Sequence, residues 1–74
     1  MNMIDLYNEI TKKKEILYIL NEAAKAETVE KKINKLRLVY SEIGLKEVLN
    51  HGINSRIEGV SEEIKSLEKM YKKT

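Results

Sequence analysis

The side chains best suited to chemistry surround His51, which is the only histidine of the chain. Glu47 precedes it and Ser55 follows it by four residues, so a helix would align a carboxylate, an imidazole and a hydroxyl on one face. Three successive turns of one exposed helix do not make the pocket that a proton relay needs. One histidine with one glutamate also falls short of a zinc or iron site. We therefore predict no catalytic residue, no metal site, no cofactor and no enzyme activity.

A second candidate chemistry is nucleic-acid binding, because basic and amide side chains lie on either side of Gly44. They are Lys31, Lys32, Lys35 and Arg37 before it, and Asn50, Asn54 and Arg56 after it. A basic helix, a glycine and a helix that carries Asn and Arg have the outline of a helix-turn-helix unit. Tyr40, however, stands where a tight helix crossing prefers a small residue, and Asn50 stands where an aliphatic one is expected.

The overall charge gives this hypothesis little support. Fourteen basic and twelve acidic residues leave a net charge of +2, whereas dedicated nucleic-acid binders are usually more basic. A small DNA- or RNA-binding regulator is therefore one alternative function. Capture of a small anionic ligand between subunits, with Tyr and Lys side chains as its lining, is another.

Two apolar clusters favour a protein partner instead. The run from residue 16 to 20 is apolar in nearly every direction around a helix, so one buried face cannot account for all of it. A β-strand over this run is a competing interpretation. Leu38 and Val39 likewise lie off the main apolar stripe of their helix. We predict that a protein interface contains Ile16, Tyr18, Ile19, Leu38 and Val39.

These side chains need elements to position them, and the spacing of apolar residues predicts helices. The clearest stripe has steps of three and four residues and consists of Leu49, Ile53, Ile57, Val60, Ile64, Leu67 and Tyr71. A similar stripe, with Lys13 in one apolar position, consists of Met3, Leu6, Ile10, Leu17, Leu20 and Ala24. A third consists of Val29, Ile33, Leu36, Tyr40 and Ile43. The absence of proline and the abundance of Leu, Ile, Glu and Lys agree with helices.

Capping signals predict helices over about 2–25, 29–43 and 45–72. Thr28 is a candidate N-cap of the second helix, and Gly44 is a candidate left-handed residue that ends it. Gly52 and Gly59 either break the third segment or lie within it. The continuous apolar spacing slightly favours one long helix that is kinked near Gly52.

The chain is therefore expected to be a single all-α domain, 1–74: a small antiparallel, coiled-coil-like bundle of two or three helices. Because 74 residues without cysteine bury only a small core, we expect self-association to complete it. The predicted function is that of a non-catalytic protein-interaction module, such as an adaptor, inhibitor, regulator or assembly subunit. Its expected partners are itself, as a homodimer or larger homo-oligomer, and another protein. No signal peptide or membrane-length apolar run is visible, so we expect a cytoplasmic protein without membrane contact.

Overall fold

Four α-helices make up most of the structure, a computed structural model that describes residues 2–73. They are α1 (Met3–Lys25), α2 (Val29–Leu36), α3 (Glu42–His51) and α4 (Ile53–Lys73). The all-α prediction is confirmed, since no strand occurs over these residues and the apolar run from 16 to 20 is helical. The number of helices is four, in place of the predicted two or three. Met1 and Thr74, the ends of the predicted domain, lie outside the described residues.

The two long helices, α1 and α4, lie side by side and antiparallel. Near the start of α1 the Tyr7 ring lies 6.5 Å from the Tyr71 ring, measured between ring centroids. Further along α1, Lys13 Nζ lies 2.6 Å from Glu63 Oε2, so later positions on α1 face earlier positions on α4. The hydrogen bond to Glu63 raises the pKa of Lys13 above its ordinary value. Lys13 therefore occupies its place in the apolar stripe by pairing with the neighbouring helix.

The short helices pack against the long ones, α2 against α1 and α3 against α4. All four contribute to one buried cluster, formed by Leu20, Ala23, Leu36, Leu45, Val48, Val60 and Ile64. Leu6 and Ile10 are also buried, nearer the start of α1. The predicted stripes of α1 and α4 thus supply much of the core, whereas Val29 and Ile43 of the predicted second stripe are 66% and 76% exposed.

A short turn over residues 26–28 connects α1 to α2. The Thr28 side chain accepts a hydrogen bond from the Lys31 backbone N–H, which confirms Thr28 as the N-cap of α2. The Lys32 ammonium reaches back and donates to the carbonyl oxygens of Ala23 and Ala24, each at 3.1 Å. These carbonyls belong to the last turn of α1, where the Ala23 carbonyl also accepts a hydrogen bond from the Ala26 N–H at 3.2 Å. Lys32 therefore caps α1 from within α2.

The prediction that the second helix extends to residue 43 and ends at Gly44 is wrong. That helix ends at Leu36, and a new helix begins at Glu42 after a turn. Ser41 is its N-cap, because the Ser41 hydroxyl accepts a hydrogen bond from the Gly44 N–H at 3.3 Å. Glu42 adds a favourable negative charge in the first turn. Gly44 thus lies near the start of a helix, and the helix-turn-helix outline built on it is lost.

Gly44 has a steric role in the position where it is found. A β-carbon on Gly44 would lie 3.2 Å from Tyr40 Cδ1, closer than ordinary van der Waals contact. The missing side chain therefore lets the Tyr40 ring lie against the first turn of α3.

The predicted third segment is divided at Gly52 and continuous at Gly59. Gly52 has a φ of 92° and a ψ of 140°, a conformation that L-residues with a side chain rarely adopt. Its N–H donates to the Val48 carbonyl at the end of α3, and its own carbonyl accepts from the Arg56 N–H at the start of α4. The kinked single helix is therefore replaced by two helices with one glycine between them.

Candidate functional site

One side of α1, exposed in large part but including the buried Ile10, forms the floor of a groove of about 580 Å³. Its α1 residues recur at alternating steps of three and one, as one broad helix face requires. They are Tyr7, Ile10, Thr11, Lys14, Glu15, Tyr18 and Ile19. From Tyr7 to Tyr18 this face is about 17 Å long at the ordinary helical rise.

The turn after α2 forms a wall of the groove through Leu38 and Val39. Leu36 is fully buried and anchors the end of α2, and the Val39 N–H donates to the Leu36 carbonyl. This tight turn leaves Leu38 69% exposed. Leu38 also borders a depression that contains Glu22 and Lys25. It therefore lies toward the Tyr18 end of the groove.

The residues of this groove also contact α4, which fixes their positions. Tyr7 packs against Tyr71 with an angle of 46° between the rings, and Lys14 Nζ lies 3.3 Å from Glu68 Oε2. The groove is therefore built on helices that the core holds in place, and it presents aromatic and aliphatic surface with few charges.

The structure brings together four of the five predicted interface residues. Tyr18, Ile19, Leu38 and Val39 all line the groove, whereas Ile16 packs against the core and lies outside it. Tyr7 is not among the five predicted interface residues, although it lies eleven residues, or about three helical turns, before Tyr18 on the same face. That spacing is the signal that could have identified it.

Several of the basic residues predicted for nucleic-acid binding are paired within the chain. Lys32 caps α1, and Arg37 Nε lies 3.3 Å from Glu42 Oε1. Arg56 Nε donates to the Tyr40 hydroxyl at 3.4 Å, and this hydrogen bond raises the pKa of Arg56. Lys32 lies within α2, Arg37 directly follows it and Arg56 lies in α4. Each is held by a different group, so the three do not form one basic surface.

The remaining residues of that prediction are also dispersed. Lys31 and Lys35 line a depression that they share with Lys25 and two glutamates. Asn50 is exposed near the end of α3, and Asn54 lies in the first turn of α4, beyond Gly52. The predicted Asn50–Arg56 face is thus divided between two helices.

His51 is the last residue of α3 and is exposed. It borders a depression together with Glu47, Ser55, Arg56 and Tyr40, which lie on or beside α3 and α4. In the described part of the chain no side-chain hydrogen bond joins His51 to Glu47 or to Ser55. The three side chains are neighbours on this surface without the hydrogen-bonded order of a relay.

Comparisons of the chain with protein-family models, with curated proteins and with solved structures found no match. Between residues 2 and 73, no helix combines the length and the apolar character needed to cross a membrane. Nor are three or more His, Asp or Glu side chains placed there to hold a metal ion.

Proposed function

We propose that the chain is a non-catalytic protein-interaction module and that the α1 groove is its binding surface. The observation that carries this proposal is the joining of exposed apolar side chains in one concave surface. Tyr7, Tyr18 and Leu38 are 58%, 63% and 69% exposed and line the same groove. Single exposed apolar residues are ordinary, whereas a contiguous apolar patch is characteristic of an interface.

The chemistry of the groove also supports a protein partner. Tyrosine supplies a large contact area with little loss of side-chain entropy, and it is enriched among the residues that dominate binding energy. The length of about 17 Å corresponds to about three turns of a helix, which is typical of grooves that bind an amphipathic helix.

The alternatives have less support from the arrangement of side chains. DNA or RNA binding requires a coherent basic surface, and three of the predicted basic residues are engaged by other groups of the chain. Capture of a small anion has less support because the depression lined by Lys25, Lys31 and Lys35 also contains two glutamates, which would repel an anion. Both functions, and the cytoplasmic location, stay untested predictions.

Photocrosslinking at a single position tests the proposal. A photoreactive phenylalanine analogue would replace Tyr18 in the groove or, as a matched control, the exposed Ile43 outside it. Irradiation in cells that express the protein should give a discrete protein adduct from position 18, and the additional change Leu38→Glu should abolish that adduct. Equal adducts from both positions, or adducts with nucleic acid alone, would contradict the proposal.

A further inference from the structure

We infer that Gly52 is a hinge at which α3 and α4 join into one continuous helix when two copies of the chain exchange their α4 helices. Three features of the junction support this: its backbone hydrogen bonds, the apolar spacing across it and the contacts that straightening would separate. The α1 groove lies before the hinge in the chain, so the exchange is independent of the proposed function.

The backbone at the junction departs from a helix at a single residue. Gly52 alone separates α3 from α4, and its φ of 92° lies outside the helical region. Its N–H donates to the Val48 carbonyl and its carbonyl accepts from the Arg56 N–H, which are the bonds that a continuous helix would make. The helical bonds from the N–H groups of residues 53–55 to the carbonyls of residues 49–51 do not form in the described part of the chain. A change in the Gly52 dihedral angles would form them.

The apolar spacing of the sequence continues across Gly52. At steps of four, four, three and four it consists of Leu49, Ile53, Ile57, Val60 and Ile64. In the compact chain the junction divides this stripe, because Leu49 is 41% exposed whereas Ile53 and Ile57 pack against the core. In a continuous helix Leu49 would lie one turn before Ile53 on the same face. The sequence is therefore compatible with both forms of the junction.

A continuous helix is incompatible with the contacts that α3 and α4 make within one copy. It would extend over 42–73 and be about 48 Å long. Val48 and Val60, which belong to the same buried cluster, would then lie about 18 Å apart along it. The hydrogen bond between Arg56 and Tyr40 would be lost in the same way. A single straightened copy would thus expose core residues of both helices to water, which is unfavourable.

A second copy restores these contacts. When two copies exchange α4, the α4 of each packs against α1 and α3 of the other, as it does within the compact chain. The ring contact of Tyr7 with Tyr71 and the ion pair of Lys13 with Glu63 then form between copies. The compact and exchanged forms differ mainly at the hinge, so the balance between them depends on residue 52 and on protein concentration. Short connections of this kind favour such exchange.

Complementary charge changes test the exchange. Lys13→Glu and Glu63→Lys each place like charges together within a compact copy, because Lys13 Nζ lies 2.6 Å from Glu63 Oε2. When the two variants exchange α4 with each other, opposite charges face each other at both α1–α4 contacts. The mixture should therefore form a heterodimer at a concentration at least about tenfold lower than either variant needs to form a homodimer.

The two variants are unfolded together in urea and refolded, because α4 must separate from α1 before it exchanges. Native mass spectrometry with one variant isotopically labelled identifies the heterodimer. A pair inside α4 is the matched control, since Lys65 Nζ lies 3.6 Å from Glu62 Oε1 and both residues move together with that helix. A mixture of Lys65→Glu and Glu62→Lys cannot restore opposite charges by exchange, so it should form no more dimer than each variant alone.

A second test changes the hinge and does not depend on the folding of the charge variants. Gly52→Ala disfavours the φ of 92° and favours a helical residue 52, so the dimer should form at a concentration at least about a hundredfold lower than for the parent. Gly59→Ala lies inside α4 in both forms and should leave the balance of monomer and dimer unchanged. Sedimentation equilibrium from micromolar to millimolar concentrations measures both variants.

A heterodimer from Lys13→Glu with Glu63→Lys, and none from the control mixture, supports the exchange. A mixture that stays as monomeric as its separate variants overturns it, and so does equal heterodimer formation by the control mixture. If Gly52→Ala dimerises no more tightly than Gly59→Ala, Gly52 is not a hinge. Each of these results leaves the photocrosslinking test at Tyr18 unaffected, because every residue that lines the groove precedes the hinge.

Discussion

Gly52 and Gly59 provide a sharp test of the fold. Substitution by alanine should have opposite effects on stability at these two positions. Neither glycine has another atom within 4 Å of where a β-carbon would be built, so steric contact does not decide the outcome. Backbone conformation decides it. Gly59 lies inside α4, where alanine is favoured over glycine by about 1 kcal/mol. Gly59→Ala should therefore stabilise the protein.

At Gly52 the φ of 92° would be retained only under strain by alanine, at a cost of about 1–3 kcal/mol. Part of this is offset by the smaller entropy of the unfolded alanine chain, about 0.4–1 kcal/mol. Gly52→Ala should therefore destabilise the protein by about 1–2 kcal/mol, so that the two variants differ by about 2–3 kcal/mol.

Urea unfolding followed by circular dichroism measures this difference, at one fixed protein concentration so that self-association does not vary. With a slope of about 1 kcal/mol per molar urea, the midpoint should rise by about 1 M for Gly59→Ala and fall by about 1–2 M for Gly52→Ala. If both substitutions raised the midpoint, residue 52 would be helical, and α3 and α4 would be one continuous helix.

Three further predictions concern the contacts that hold the helices together. Lys32→Met keeps the aliphatic stem but removes two hydrogen bonds to the last turn of α1, so urea unfolding should show a loss of about 1–2 kcal/mol. Leu20→Ala should cost about 2–5 kcal/mol in the same assay because Leu20 is fully buried, whereas Leu38→Ala should cost less than about 0.5 kcal/mol in the monomer. Because Glu63 raises the pKa of Lys13, their pair stabilises the fold fully below the ordinary value of 10.5 and loses this contribution as pH rises through the raised pKa. The free energy of unfolding should therefore exceed that of Glu63→Gln by about 0.5–1 kcal/mol below pH 10.5 and approach it above, and a constant difference would contradict the assigned pair.

The long helices could be predicted from sequence because their apolar spacing repeats over many turns. Leu6, Ile10, Leu20, Val60 and Ile64 all belong to the predicted stripes and are buried. Over a helix of many turns the apolar spacing is still recognisable when one position, such as Lys13, is polar.

The middle of the chain was harder because two local signals competed there. Gly44 after an apolar stripe is typical of a helix end, whereas Ser41 followed by Glu42 is typical of a helix start. The contact between the Tyr40 ring and Gly44 favours the second arrangement, and that contact depends on tertiary structure. Tyr40 and Ile43 continue the apolar spacing of α2 in the sequence, although α2 ends at Leu36 and a turn follows it.

The groove was predicted in part for a related reason. A run of apolar residues on α1 indicated surplus apolar surface, which pointed to Tyr18 and Ile19. The direction of each side chain depends on which neighbours fill the core, and Ile16 packs there. Tyr7 lies outside the apolar run from 16 to 20, so its helical spacing is what connects it with Tyr18.

The antiparallel pairing of α1 and α4 also determines where the two ends of the described chain emerge. The contact between Tyr7 and Tyr71 brings the beginning of α1 beside the end of α4, at one end of a body 43 Å long. Adjacent ends are what insertion into a loop of a host protein and circular permutation both require. A short flexible linker from residue 73 to residue 2, with new ends opened in the turn between α2 and α3, would retain every helix. Two proteins fused before residue 2 and after residue 73 would leave the bundle side by side, at the same end of it.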